Sequence, residues 1–230
     1  RQPMSLKGLF LYLEDGLPIR STGVFSNNAL IEMNMTAMKQ LEVIKGPSSA
    51  LYGGEAIGCA INIITQSPPS IFSGKVSIQA NNTGYQKWDA QIGNKIGKLG
   101  FLVSGYYAKR KDGPLEHSDF NKKAFTIKTD YTIDEKLKFS NTLTYIDYYT
   151  DMPGPLDSIN FSKKILSSLQ TFTYRSLFAL RNRSNLTKNW NANSTTSISY
   201  LYRNNSMYQN PSYLIASTKV ATQFKGQIND

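Results

Sequence analysis

The stretch that decides the fold is LEVIKGPSSALYGGEAIGCAINIITQSP, residues 41–68. Four glycines and a proline separate two β-rich runs, LEVI and AINIIT. A phosphate-binding P-loop ends in Gly-Lys-Ser/Thr, whereas the lysine here, Lys45, precedes the glycines. A nucleophile elbow needs Gly-x-Ser-x-Gly, and neither Ser48 nor Ser49 has glycines at those positions. The glycines therefore indicate a backbone role, through positive φ or close approach of neighbouring chain.

Composition narrows the function classes. The 230 residues carry a formal net charge of +10, with Lys and Arg scattered along the chain rather than clustered. Scattered charge is a poor electrostatic footprint for nucleic acid, and an anionic small ligand or an anionic membrane surface suits the net charge equally well. The single cysteine, Cys59, and the single histidine, His117, cannot build a zinc site of the usual Cys/His kind. We predict no metal site, no cofactor and no nucleic-acid partner.

The residues up to the QSPPS segment at 66–70 predict a small mixed α/β unit. Leu9 to Leu13 form a continuous apolar run that suits a strand buried on both faces. Asp15-Gly16 is a turn signal, and Pro18 prevents the strand from continuing. Thr36 is predicted to cap a short helical turn through Gln40. We place a domain boundary after this unit, with residues 1–69 in the first domain and 70–230 in the second.

From Ser73 onward the apolar residues alternate with period two, as in Phe125, Ile127, Tyr131 and Ile133. About eight such segments have the length that a tilted strand needs to cross a bilayer. Short turns (KIGKLG, TIDEK, LTKNW) alternate with three longer polar stretches, and we expect the one around YQNPSY to be long. Tyrosines near the strand ends fit an aromatic girdle; they are Tyr106, Tyr107, Tyr145, Tyr148, Tyr149, Tyr200 and Tyr202.

Alternation alone leaves two architectures open, an outer-membrane barrel and a soluble β-sandwich. The first region separates them by resemblance. LFLYLEDGLPI followed by LEVIKGPSSALYGGEAIGCAINIITQSP resembles the plug domain of TonB-dependent outer-membrane receptors in the order and spacing of its landmarks. YTDMPGPLDSINFSKK is similar to a Pro-Gly-x-Leu loop of the iron-chelate branch. One departure is Lys45, because the family commonly has arginine there, and lysine cannot form arginine's planar bidentate pair.

The resemblance implies a mixed fold: a small α/β plug domain inside a transmembrane antiparallel β-barrel of roughly 22 strands, of which this chain covers part. An eight-stranded barrel has room only for its own side chains, and an open sheet would expose unpaired backbone to lipid. We therefore expect further strands beyond Asp230. The TonB box is expected before Arg1, and no signal peptide is recognisable where Arg1-Gln2-Pro3 opens the sequence.

The resemblance also implies the functional residues. The predicted ligand contacts lie in two plug loops and on one barrel strand, where alternation turns the arginines towards the lumen if the aromatic face meets lipid. They are Arg20, Ser21, Thr22, Phe25, Asn27, Ser49, Tyr52, Glu55, Arg175, Arg181 and Arg183. The predicted plug–barrel contacts are Lys45, Gly46, Pro47 and Gly53.

The implied function is TonB-dependent import of a metal chelate across the outer membrane, with a ferric siderophore as the hypothesis. The implied partners are TonB, a small anionic chelate and outer-membrane lipid. No nucleophile–base pair is recognisable, so no enzymatic activity is predicted. The alternatives are a soluble β-rich binding or adhesion module, a small barrel enzyme or porin, and a receptor for ferric citrate, haem, cobalamin or a glycan.

Overall fold

Over the residues that it describes, the computed structural model of the chain forms two β-sheets, one of four strands and one of eight. It describes residues 10–19, 33–47, 58–111, 113, 117–152, 158–159, 173–191, 194–210 and 213–228. No helix among these residues combines the length and the apolar character needed to span a membrane.

The small sheet comprises β1 (Phe10–Glu14), β2 (Leu17–Pro18), β3 (Met38–Lys45) and β4 (Cys59–Thr65). Its strand order is β2-β1-β4-β3. Strands β1 and β4 are parallel, and the other pairs are antiparallel. The predicted strands at Leu9–Leu13, LEVI and AINIIT are therefore present, and they meet in one sheet.

The small sheet is apolar on both faces, as a continuous apolar run predicts. On one face Leu11, Leu13 and Ala60 are buried and pack with Ile44. On the other face a second cluster contains Tyr12, Ile19, Met33 and Ile63. Strands β1 and β4 are thus covered on both faces, whereas Leu41 and Val43 of the edge strand β3 are about half exposed.

The turn between β1 and β2 is made by Asp15 and Gly16, with φ of 48° and 82°. Positive φ at both central residues is typical of a type I′ hairpin turn, for which Asp-Gly is a preferred sequence. The predicted helical turn differs from the expectation. It is a 3₁₀ turn, Met35–Ala37, whose cap is Asn34 rather than Thr36, and Asn34 Oδ1 accepts the Thr36 N–H at 3.1 Å.

The large sheet is an antiparallel meander in which every strand pairs with its sequence neighbour. Its strands are β5 (Ser73–Ala80), β6 (Tyr85–Ile96), β7 (Leu99–Arg110), β8 (Phe120–Thr132), β9 (Leu137–Met152), β10 (Thr173–Asn189), β11 (Ser194–Asn210) and β12 (Tyr213–Ile228). Eight strands of this length agree with the period-two pattern. The third long connection was wrong, because only residues 211–212 lie between β11 and β12.

One face of the large sheet contacts the small sheet, and we call it the inner face. On β7, Leu102, Ser104 and Ala108 point to this face and are buried, whereas Val103 and Tyr107 point outward and are more exposed. This alternation corrects part of the predicted girdle. Tyr106 and Tyr148 lie on the inner face, where both pack against a buried apolar cluster.

The segment between the two sheets is packed against the inner face of the large sheet. A Cβ added to Gly93 would lie 2.6 Å from Pro69 Cδ, and one added to Gly100 would lie 2.9 Å from Pro68 Cβ. Glycine at these two positions therefore leaves room for the Pro68-Pro69 segment to pack against β6 and β7 before the chain enters β5. The predicted linker is a close-packed connection.

Candidate functional site

The contact between the two sheets is centred on two acidic residues, Glu14 and Asp15, at the end of β1. Asp15 forms ion pairs with Arg183 of β10 and with Lys128 of β8, the latter at 3.8 Å. Arg183 also donates to the backbone carbonyl of Glu14 at 3.0 Å. Arg181 lies one inward position along β10, and its Nη2 is 3.3 Å from the Glu14 carboxylate. We call these five residues the charge cluster.

Asp15 is held by hydrogen bonds as well as by charge. The Thr65 N–H and Thr65 Oγ1–H donate to its two carboxylate oxygens at 2.8 and 2.6 Å. Lys128 Nζ donates to Thr65 Oγ1 at 2.8 Å, which joins the two sheets through the same threonine. Burial by itself raises the pKa of Asp15, but Arg183, Lys128 and these hydrogen bonds outweigh it and hold that pKa below its ordinary value. Asp15 is therefore a carboxylate at neutral pH.

The charge cluster is largely withdrawn from solvent. The side chain of Arg181 is 3% exposed, and those of Lys128 and Asp15 are 11% and 18% exposed. Removing one partner from such a cluster leaves an uncompensated charge in a poorly solvated position, which is costly. The cluster therefore specifies where the small sheet sits on the large one.

A second contact is formed by Met33 and Asn34, just before the 3₁₀ turn. Asn34 Nδ2 donates to Thr126 Oγ1 at 3.0 Å and to the Ser104 carbonyl at 3.2 Å. The Met33 carbonyl accepts from Lys122 Nζ at 3.1 Å. These groups are polar and buried or partly buried, so the contact is directional rather than a simple apolar packing.

A polar cavity of about 410 Å³ lies beside these contacts, between the small sheet and strands β5 and β6. Thr36 and Gln66 line it from the small-sheet side. Lys75, Lys87 and Asp89 line it from the large sheet, and Lys87 pairs with Asp89 at 3.5 Å. Polar and charged side chains therefore line this part of the boundary between the sheets.

The predicted ligand contacts fall into two groups. Arg20, Ser21, Thr22, Phe25, Asn27, Ser49, Tyr52 and Glu55 lie outside the described residues, as does Gly53 of the predicted plug–barrel contacts. The backbone of Arg175 lies in β10, opposite Thr150 of β9. Arg181 and Arg183 do face the small sheet, where Glu14 and Asp15 engage them. Ligand binding by these arginines stays a prediction.

The predicted plug–barrel contacts at the end of β3 also stay a prediction. Lys45 and Pro47 are exposed on the described chain. Gly46 has a φ of 93° and donates its N–H to the Gly58 carbonyl at 3.1 Å. Five residues that connect the two sheets were not predicted from the sequence: Glu14, Asp15, Asn34, Thr65 and Lys128. Alternation on β8 and β10 was a usable signal, since it turns Lys128, Arg181 and Arg183 to one face.

Comparison with known proteins agrees with this arrangement. The family model for the TonB-dependent Receptor Plug Domain matches residues 2–60. The chain contains a TonB-dependent receptor plug. The small sheet belongs to that plug, and the large sheet forms part of the surrounding barrel wall. This membership places the protein in the outer membrane.

A curated relative supports the same location. The iron-regulated outer membrane virulence protein of Vibrio cholerae serotype O1 is 32% identical over 109 residues. That alignment covers 44% of this chain and 17% of the relative. The chain thus spans about a sixth of the length of the curated relatives it matches.

Solved structures show the fold. The ferric citrate transporter FecA in its unliganded form superposes with a TM-score of 0.75 at 18% identity, over 95% of this chain and 34% of that one. The FpvA receptor of P. aeruginosa, bound to a ferric pyoverdine, superposes with a TM-score of 0.70 at 14% identity. That match covers 94% of this chain and 32% of FpvA. These identities support the architecture and nothing finer.

Proposed function

We propose that the protein imports a ferric chelate, most specifically a ferric siderophore, across the outer membrane by a TonB-dependent mechanism. The observation that carries the proposal is the plug sheet fixed against the inner face of a barrel wall by the charge cluster. A plug inside a transmembrane barrel blocks the passage of solutes, so import requires that the plug be displaced. Relatives named for iron regulation and ferric chelates support the substrate class.

The chemistry of the interface suits displacement. The contacts of Asn34, Met33 and Asp15 with the wall are hydrogen bonds and ion pairs, whereas the plug's own core is apolar. Groups that leave a polar contact regain hydrogen bonds to water, so each bond contributes about 0.5–1.5 kcal/mol net when both groups are neutral and about 1.5–3 kcal/mol when one is charged. Pulling by TonB can therefore separate plug from wall at a lower cost than exposing the plug core.

The charge of the inner wall suits an anionic cargo. Lys122, Lys128, Arg181 and Arg183 all lie on the inner face of β8 and β10. Plug groups engage them in this structure, and displacement of the plug would expose them to the path. No cluster of three or more His, Cys, Asp or Glu side chains suited to a bare metal ion occurs among the described residues. A pre-chelated metal ion is thus the cargo that we propose.

The test is uptake of radiolabelled iron chelates by cells that produce the full-length protein. We expect accumulation of at least one ferric siderophore, abolished by deletion of TonB or by collapse of the proton gradient. Ferric citrate, haem and cobalamin serve as comparison cargoes. Accumulation that is unchanged without TonB would contradict the mechanism, and binding of cobalamin or a glycan alone would contradict the substrate class.

A further inference from the structure

The outer face of strands β5 to β8 carries an apolar groove of about 870 Å³. This face points away from the plug and, in an outer-membrane barrel, towards lipid. The floor of the groove is formed where Ala90 of β6 pairs with Gly105 of β7. Val76 of β5 and Phe125 of β8 flank these two small residues in the same row and are 78% and 41% exposed. The row therefore has small residues at its centre and larger side chains at both edges.

The next outward-facing row, towards the longer connections, is aromatic. Trp88 pairs with Tyr107, and their rings stack with centroids 5.8 Å apart. Ile78 continues the row on β5, and Lys123 continues it on β8. Stacked Trp and Tyr at the end of an apolar band are typical of a membrane–water interface. Because longer loops of these barrels face the cell exterior, this end belongs to the outer leaflet.

The row beyond it is polar and contains a second cation. Lys109 pairs with Gln86, and its Nζ lies 5.6 Å from the centre of the Trp88 ring. Lys123 is 59% exposed and has Asp147 at 3.8 Å. Of the described residues at this rim, two ammonium groups stand against one carboxylate, which leaves a net positive charge above the groove. The groove thus combines apolar walls, an interfacial aromatic pair and a cationic end in the order in which a lipid presents acyl chain, ester region and phosphate.

We propose that this groove is a binding site for an anionic, phosphate-bearing lipid of the outer leaflet, with an acyl chain over Ala90 and Gly105 and the phosphate between Lys109 and Lys123. Ammonium groups at a membrane surface attract anionic headgroups, and the apolar contacts fix the chain beside the wall. The site depends on the outer-membrane location and not on the identity of the imported cargo.

The test compares two lipids that differ only in headgroup. Full-length protein in detergent is mixed with equal amounts of phosphatidylglycerol and phosphatidylcholine that carry the same acyl chains, and retained lipids are counted by native mass spectrometry. We expect phosphatidylglycerol to be retained with roughly tenfold preference, since the charge of its phosphate, unlike that of phosphatidylcholine, is not offset by a choline cation when the two lysines act on it. The Lys109→Gln/Lys123→Gln variant should lose this preference, and Ala90→Trp, which fills the groove, should retain less of both lipids.

The chain offers a matched control at the opposite rim. Lys188 lies over the ring of Trp190 at 3.9 Å, so it reproduces the Lys–Trp pair on the side of the short turns. Lys188→Gln should leave the preference unchanged. Equal retention of the two lipids by the unaltered protein, or an equal loss in Lys188→Gln, would overturn the proposal. Resistance to unfolding in dodecyl sulfate at room temperature confirms that each variant is folded before it is compared.

Discussion

At the residue scale, the position of the plug on the barrel wall depends on ion pairs whose two partners lie in different sheets. Alternation along β10 predicted that Arg181 and Arg183 share a face, and the structure brings both to the plug. Their partners were not predictable, because Glu14 and Asp15 follow an apolar strand at a turn and look like ordinary solvated turn residues. Which carboxylate pairs with which guanidinium depends on how the two sheets dock, and no local sequence pattern indicates that docking.

Asp15→Asn tests the charge cluster. The change keeps the size of the side chain and removes the charge that faces Arg183 and Lys128. We expect the opening free energy of β1 and β4 to fall by about 3 kcal/mol, the low end for removing one partner of a buried ion pair. Hydrogen exchange of these strands in the folded full-length protein should accelerate roughly a hundredfold.

The matched control for this change is Asp147→Asn. Asp147 pairs with Lys123 at a similar distance, 3.8 Å, but both side chains are exposed and neither contacts the plug. Exposed pairs contribute about 0–1 kcal/mol, so exchange in the plug should be unchanged. Equal exchange in Asp15→Asn and in the unaltered protein would show that the charge cluster does not hold the plug.

The pH dependence of plug stability follows from the lowered pKa of Asp15. A carboxyl whose folded-state pKa lies below its unfolded value, about 3.9, stabilises the fold fully above the unfolded value. That stabilisation is lost as pH falls through the folded-state pKa. We expect exchange protection of β1 and β4, corrected for the intrinsic rate, to stay constant from pH 7 to 5 and to fall below about pH 4.

The same pH series on Asp15→Asn identifies the group. The variant should lack the part of the acid-induced loss that Asp15 supplies, so its protection should change less below about pH 4. A loss of protection centred near pH 6 in the unaltered protein would contradict this assignment, because the pKa of Asp15 is held below its ordinary value.

At the element scale, the sequence predicted the strands better than their connections. Alternation determines which residues of a strand share a face. The strands of the large sheet could therefore be predicted from Ser73 onward. The Asp15-Gly16 turn was also readable, because positive φ favours those residues. The two-residue step between β11 and β12 was missed, since the polar residues around YQNPSY continue the two strands instead of forming a loop.

Gly93→Ala tests the close packing between the linker and the wall. The new Cβ would lie 2.6 Å from Pro69 Cδ and 2.9 Å from the Phe101 carbonyl oxygen. Overpacking of this kind costs about 1–3 kcal/mol, so we expect a lower temperature for the loss of the dodecyl-sulfate-resistant fold. Gly74→Ala is the control, because its nearest atom is 3.8 Å away. Equal transition temperatures for the two variants would contradict the packing.

At the scale of the whole molecule, the plug resemblance in residues 9–66 was the decisive sequence signal. Composition and alternation were compatible with both an outer-membrane barrel and a soluble β-sandwich. The order of the plug landmarks around the glycine-rich segment favoured the barrel. The detailed site remained out of reach for a physical reason. A binding surface shared by a plug and a barrel is made by contacts between residues such as Asn34 and Thr126, which are far apart in the chain and carry no local pattern.

The central claim is that the plug lies against the inner face of the barrel wall, and cysteine cross-linking tests it most directly. In a Cys59→Ala background, Asn34→Cys and Thr126→Cys replace two side chains that touch at 3.0 Å. Thr129, three residues along β8, points to the opposite face of the wall, so Asn34→Cys with Thr129→Cys is the matched control. After oxidation of the full-length protein in its own membrane, peptides containing positions 34 and 126 should be joined, and those containing 34 and 129 should not. Absence of the first link, although both cysteines react with maleimide once the protein is unfolded and are therefore free thiols, would contradict the account.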